Sequence, residues 1–366
     1  MEKEIPASIM RGGTVKAIFL KKEDLPEEKE KWSTIFLDLI GSSYEEQIDA
    51  LGSRVPPITK LAVIEKSSDP DIDIEYEFFQ IGLEESSVNS RGSCGNLPSA
   101  IGIFAIDEGY VRPLEPLTPV LMRNINTGKI IKVEVPVRNK RVRVDGEYKI
   151  DGVRGKGARI NITFYDAQAT LTGRLFPSGN RKDILSDGIP VTIIDSGILT
   201  IFIEARYLGL RGVEPPDAIE RNVEIIKKIE TIRKEVADII KFEPDIFLPK
   251  LAYVTSPKNY TTVSGKVIKE KDVDIIARYF SQKGIIHRSF PVAGGIALAT
   301  ASLLEGTVIN EILVNKRNRI MIGHPSGVLD IWCTLFEEGS IIRVNAKLSR
   351  TARKLFSGVA YMRNNR

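Results

Sequence analysis

Residues Cys94–Val111 read CGNLPSAIGIFAIDEGYV, and Gly294–Val308 read GGIALATASLLEGTV. Each is a glycine-led, almost wholly apolar run that closes near a Gly-x-Val triplet. Apolar side chains on every side of a helix mark an element surrounded by protein, not one lying on a surface. Three further stretches recur in the same order, each displaced by about half the chain. Ile9–Leu25 (IMRGGTVKAIFLKKEDL) matches Ile194–Leu208 (IDSGILTIFIEARYL): a glycine turn, a β-like run and a charged stretch closing on Leu. Thr59–Ser68 (TKLAVIEKSS) matches Pro249–Lys258 (PKLAYVTSPK), with Lys-Leu-Ala opening a short strand each time. Val120–Val135 (VLMRNINTGKIIKVEV) matches Arg319–Thr334 (RIMIGHPSGVLDIWCT) as strand, glycine turn, strand. Four ordered matches predict two copies of one unit: an α+β fold of two pseudo-symmetric domains, each a mostly antiparallel sheet wrapped around a central helix. The domains are expected over residues 1–186 and 187–349, with 350–366 a candidate to complete the first.

At 366 residues the chain exceeds an average single core, which agrees with two domains. Its 52 basic and 48 acidic residues are interspersed, so the net charge of +4 does not imply nucleic-acid binding. No apolar run is long enough to span a bilayer, and the start MEKEIPASIMRGG lacks a signal peptide's character. Two distant cysteines make no disulfide framework, so a cytoplasmic protein with free thiols and no membrane partner is expected. A helix is expected over Pro216–Ile240, with apolar residues at three- and four-residue spacing, as outer packing. The loop Leu171–Asn180, LTGRLFPSGN, reads as a linker or as the wall of a site.

The loop before the first apolar helix reads Arg91-Gly-Ser-Cys-Gly-Asn-Leu-Pro98. Gly92, Ser93 and Gly95 let the backbone bend closely around a ligand. A helix opening near Asn96 offers unpaired N–H groups and the positive end of its dipole, which suits an anion. The same field favours a thiolate, so Cys94 is a candidate acid, base or nucleophile. Burial as a structural thiol is the competing reading, since most lone cysteines are packed in cores. Cys333, inside the strand-like VLDIWCTLF, reads as structural.

Lys60 opens a strand, and Lys250 takes the same slot in the second copy, so recurrence argues for packing as much as for chemistry. His324, Ser326 and Gly327 lie in a glycine turn, with Ser326 and Gly327 as a second anion-holding turn. His287 precedes the second apolar helix. Two histidines without ligand-spaced Cys, Asp or Glu make a zinc site unexpected. Neither a P-loop nor a dinucleotide fingerprint is present, which disfavours ATP and nicotinamide cofactors.

The ordered motifs MRGGT (Met10–Thr14), KEDLPE (Lys22–Glu27), KLAVI (Lys60–Ile64), SCGNLPSAIGIFAI (Ser93–Ile106), LFPSGN (Leu175–Asn180) and GHPSGV (Gly323–Val328) resemble the 2-methylaconitate cis-trans isomerase (PrpF) family of the diaminopimelate-epimerase-like superfamily. The resemblance runs over nearly the whole chain. It implies two similar halves, a site in the cleft between them, and neither metal nor organic cofactor. It implies a proton shift across an allylic system in a small unsaturated di- or tricarboxylic acid. By motif, Lys60 and Cys94 are the implied catalytic pair, and Arg11, Thr14, Ser93, Gly95, Asn96, Ser326 and Gly327 the implied substrate contacts. Two departures stand out. The second half has no thiol at its helix mouth, which disfavours a two-cysteine racemase, and Ser93 stands where the family usually has Asn. A tautomerase of a 4-oxalomesaconate-like oxo-acid and a non-catalytic accessory protein of an aconitase-like dehydratase are the alternatives. A homodimer is entertained as the assembly.

Overall fold

The computed structural model describes residues 3–41, 49–52, 59–82, 86–339 and 341–362. Residues 53–58, most of the stretch GSRVPPIT that the sequence predicts as a turn before Lys60, lie outside them. The chain divides into two units, Met1–Thr163 with Ser349–Arg366, and Phe164–Leu348.

In the first unit, β1 (Lys3–Gly12) and β2 (Val15–Lys21) form an antiparallel hairpin. Strand β3 (Lys60–Lys66) lies parallel to β2, and β4 (Ile74–Ile81) runs antiparallel to β3. Strand β5 (Leu117–Asn124) is parallel to β4, and β6 (Ile130–Arg138) turns back antiparallel to β5. The second unit repeats these senses in the same order. Strands β7 (Pro190–Ser196) and β8 (Ile198–Glu204) form a hairpin, and β9 (Lys250–Thr255) is parallel to β8. Strand β10 (Ile275–Gln282) is antiparallel to β9, β11 (Arg319–His324) parallel to β10, and β12 (Gly327–Glu338) antiparallel to β11. The internal repeat is therefore a repeat of topology. Each sheet is mostly antiparallel, as expected, with two parallel pairings that need crossovers instead of hairpins.

Five helices matter for packing: α1 (Trp32–Ile40), α2 (Pro98–Asp107), α3 (Pro216–Glu220), α4 (Val223–Ile240) and α5 (Val292–Leu303). Every residue of α2 from Pro98 to Ile106 is buried, as is every residue of α5 from Val292 to Ser302. That follows from sequences that leave no polar face to turn outward. Close approach to the sheet needs a missing side chain. A Cβ on Gly102 would sit 2.9 Å from Val135 of β6, and one on Gly295 2.4 Å from Ile331 of β12. Helix α1 covers the other face of the first sheet, with Trp32, Phe36 and Phe79 in ring contact.

The single helix expected over Pro216–Ile240 is two. Asn222 takes an extended conformation, and its side chain caps α4 by accepting from the Ile225 amide. Helix α4 then lays Ile229, Ile232 and Val236 on the core of the second unit, as an outer layer.

The division between units falls at Thr163, upstream of the 186/187 boundary expected from sequence. The physical reason lies in Asp195 of β7. Its carboxylate accepts from the Leu171 and Thr172 amides at 2.8 and 2.7 Å, and its carbonyl from the Ala169 amide at 2.7 Å. The segment Leu171–Asn180 is therefore fastened to the second sheet and is not a linker. Strand β13 (Ile341–Arg350) pairs with β12 and leads back to the first unit, where β14 (Ala352–Met362) pairs with β1. Among the described residues no helix is long and apolar enough to cross a membrane.

Candidate active site

The cysteine loop ends in a turn, not directly in a helix. The Leu97 amide donates to the Cys94 carbonyl at 3.1 Å, and α2 begins at Pro98, two residues beyond the expected Asn96. Proline tolerates that position because a first-turn N–H has no helical acceptor. Ser99 Oγ donates to the Asn96 carbonyl at 2.7 Å, tightening the turn. Cys94 and Gly95 are buried at the mouth of α2.

Lys60 opens β3 opposite Gln80 of β4. The Gln80 side-chain amide donates to the Thr59 carbonyl at 3.1 Å and to the Thr59 hydroxyl, which braces the start of the strand. Burial pushes the Lys60 ammonium below the ordinary lysine range, and its interaction with Cys94 acts in the opposite sense. The first cause is desolvation, which penalises the charged form; the second places lysine and thiol within electrostatic reach of each other. The first unit thus holds both sequence-predicted groups, Lys60 at the start of β3 and Cys94 at the mouth of α2.

Around them the Gly12-Gly13-Thr14 turn closes on Asn96. Arg350 donates through Nε to Asn96 Oδ1 at 3.0 Å, and Asn96 Nδ2 donates to Thr14 Oγ1 at 3.3 Å. Gly13 has φ +52°, and a Cβ there would fall 2.0 Å from Asn96 Oδ1. Only glycine meets both conditions. Arg11 donates through Nη1 to the carbonyls of Gly13 at 2.9 Å and Thr351 at 2.8 Å. Burial, with the cation of Arg353 second, lowers its affinity for a proton. Arg11, Thr14 and Asn96 therefore form one framework, with Arg350 as a member that sequence reading did not identify.

Ser93 has a framework of its own. Asn124 Nδ2 donates to Ser93 Oγ at 3.3 Å and to the Tyr76 hydroxyl at 2.9 Å, while the Thr127 amide donates to Asn124 Oδ1 at 3.2 Å. Burial raises the affinity of the Tyr76 hydroxyl for its proton, and Cys94 contributes in the same direction. Tyr76 and Asn124 were also missed. The only available signal was the recurrent turn at Asn126-Thr127-Gly128, which Asn124 begins.

In the second unit, Ser326 donates its amide to His324 Nδ1 at 3.2 Å and its hydroxyl to the Arg288 carbonyl at 2.5 Å. The Gly327 carbonyl accepts from Tyr260 at 2.7 Å. These groups make a turn joined to its own unit. His287 Nδ1 accepts from the Ser289 amide at 3.1 Å at the mouth of α5. Lys250 donates to the Ser281 carbonyl and lies 5.3 Å from the Phe247 ring centroid. Burial pushes the Cys333 thiol up to about 12, and it lies 3.9 Å from Thr300 Oγ1, as a structural thiol would.

A family model described as "PrpF protein" matches residues 2–363. The 3-methylitaconate isomerase of Eubacterium barkeri is 35% identical over 98% of this chain and 97% of its own. The 2-methyl-aconitate isomerase of Shewanella oneidensis (strain ATCC 700550 / JCM 31522 / CIP 106686 / LMG 19005 / NCIMB 14063 / MR-1) is 33% identical over 97% and 96%. A crystal structure of methylitaconate-delta-isomerase superposes with a TM-score of 0.80 at 35% identity, covering 99% of this chain and 96% of that one. A hydroxyproline epimerase from Agrobacterium vitis shares the fold alone, with a TM-score of 0.59 at 12% identity over 99% and 94%. With its two repeated units, its ordered motifs and isomerases of matching length as relatives, this chain belongs to the PrpF family and is an isomerase.

Proposed function

We propose that the protein shifts a proton across an allylic system in a small unsaturated di- or tricarboxylic acid of the methylitaconate or aconitate type, without a cofactor. The observation that carries this reading is the buried Cys94 before the mouth of α2, in the same unit as Lys60 at the start of β3, whose ammonium burial disfavours. Relatives named for methylitaconate and methylaconitate support the substrate class.

A C–H bond flanked by a carboxylate and a double bond is weakly acidic. Its removal leaves a dienolate with charge spread onto a carboxylate oxygen. Donors aimed at that oxygen stabilise the transition state more than the ground state. Burial favours the neutral amine of Lys60, the form that accepts a proton, so Lys60 takes the allylic proton. Cys94 returns a proton to the far carbon of the dienolate. The ammonium and thiolate left behind restore one another by proton transfer, and the cycle closes without any other reagent. Gly95 and the first turn of α2 offer backbone dipoles to a substrate carboxylate.

The test is incubation with 3-methylitaconate, cis- and trans-aconitate, 2-methylaconitate and 4-oxalomesaconate in deuterated water. Isomer formation with deuterium at the new C–H bond is expected for at least one of the first four acids. Neither isomer nor deuterium across the panel overturns the reading, and turnover of 4-oxalomesaconate alone replaces it with an oxo-acid tautomerase. Unchanged turnover in both Lys60→Ala and Cys94→Ala would remove these groups from the chemistry.

A further inference from the structure

We propose that Tyr76 and Asn124 are positioning residues for Cys94, acting through the hydroxyl of Ser93. Tyr76 stands in the middle of β4, with 1% of its surface exposed, and pairs with Ile64 of β3 and Asn124 of β5. Asn124 is fully buried. Its amide nitrogen reaches both the Tyr76 hydroxyl and Ser93 Oγ, and its oxygen is held by the Thr127 amide. The Tyr76 hydroxyl and Ser93 Oγ therefore share the one Asn124 amide, and Tyr76 interacts electrostatically with Ser93 and Cys94 as well. A second tether acts on the same loop, since Asn126 Nδ2 donates to the Ser90 carbonyl and to the Phe78 carbonyl, each at 2.8 Å. Residues 90–94 are thus suspended from the Asn124–Gly128 turn at two points, the second of them adjacent to the thiol.

The physical reason for such an arrangement is precision. The first loop residues at a helix mouth have no regular backbone ladder to set their positions. A loop held by side chains that are themselves locked in a sheet keeps a reacting atom within the narrow range that proton transfer requires. Buried polar groups also demand partners, so removing one oxygen of the triangle releases the others to reorient. A residue buried merely for packing needs no hydroxyl here: phenylalanine would fill the same volume.

The inference rests on Cys94 being the reacting thiol, and the experiment separates the two ideas. Tyr76→Phe, Ser93→Ala and the double variant are compared in the full-length protein by the rate of Cys94 alkylation with iodoacetamide, without substrate. Their kcat and KM are then measured on whichever acid the enzyme turns over. Each single variant is expected to change the alkylation rate at least threefold and to lower kcat about tenfold, with KM within about twofold. The double variant is expected to be no worse than the more severe single, because both act through one contact. Native alkylation and kcat in Tyr76→Phe, or fully multiplicative effects in the double variant, overturn the inference. If Tyr76→Phe does not fold, Asn124→Ser, too short to reach either oxygen, replaces it in the same cycle. Altered alkylation with no turnover of any acid sinks the proposed reaction and leaves the positioning role standing. Normal turnover with every variant native does the reverse.

Discussion

Arg350 donates through Nε to Asn96 Oδ1 at 3.0 Å, joining two residues that lie 254 positions apart in the chain. This contact ties the start of the C-terminal segment to the cysteine loop. Asn96 carries it on to Thr14, so three distant pieces of the first unit share one side-chain amide. Part of the framework around Cys94 therefore meets at one side-chain amide, which makes its disturbance measurable.

Gly13→Ala pushes a methyl group onto that oxygen and strains a left-handed backbone. Strain of this kind costs ~1–3 kcal/mol, and the steric clash adds to it. The denaturant midpoint should fall and turnover should drop severely. Gly109→Ala, at φ +78° with nothing within 4 Å of the added carbon, should lose stability through strain alone and keep its turnover. Equal damage in both variants would mean that Asn96 moves aside without consequence.

The ammonium of Lys60 is depressed by burial, so its neutral form appears below the ordinary lysine range of 10.5. The kcat/KM profile should rise with pH through that lowered value, and Lys60→Gln should abolish the rise and lower kcat by about 10²-fold or more. Stability carries the same signature. The unfolded chain holds this proton up to its normal pKa and the folded chain releases it earlier, so folding stability should increase with pH between the depressed value and 10.5. Lys60→Met should lack that increase when the two proteins are compared by denaturant titration at several pH values.

Iodoacetamide at pH 8 should modify one thiol in the native protein and two after denaturation. The native site is predicted to be Cys94, because burial pushes Cys333 up to about 12 and leaves almost no thiolate there. Mass spectrometry of the modified peptides decides the matter. Native labelling at Cys333 would refute the assignment of that residue as a sealed structural thiol.

Lys250 repeats the position of Lys60 and donates its ammonium to the Ser281 carbonyl. Lys250→Met is expected to lower stability by about 1.5 kcal/mol, the usual worth of a hydrogen bond from a charged group, with the rise of kcat/KM with pH intact. Loss of that rise would transfer the base role to the second unit.

Asn222→Ala removes the cap of α4 and should cost about 1 kcal/mol, read as a lower unfolding midpoint. Kinetic constants should be unchanged.

Much of this was legible before any coordinates. Glycine turns, β-runs and two helices without a polar side recur along the chain in one order, and local composition is enough to dictate such elements. The SCGN and KLAVI motifs likewise marked Cys94 and Lys60. What sequence could not supply was pairing between distant strands. Tyr76, Asn124 and Arg350 acquire their roles only because strand register sets a β4 side chain beside a β5 side chain, and a C-terminal guanidinium beside the cysteine loop. The same applies to the two lysines, identical in motif: burial and the nearness of Cys94 act on Lys60, while Lys250 donates to the Ser281 carbonyl. The sequence alone determined which elements form and which residues could react. The tertiary structure decided which of those residues meet, because hydrogen bonds and desolvation depend on neighbours in space, and neighbours in space are chosen by the sheet.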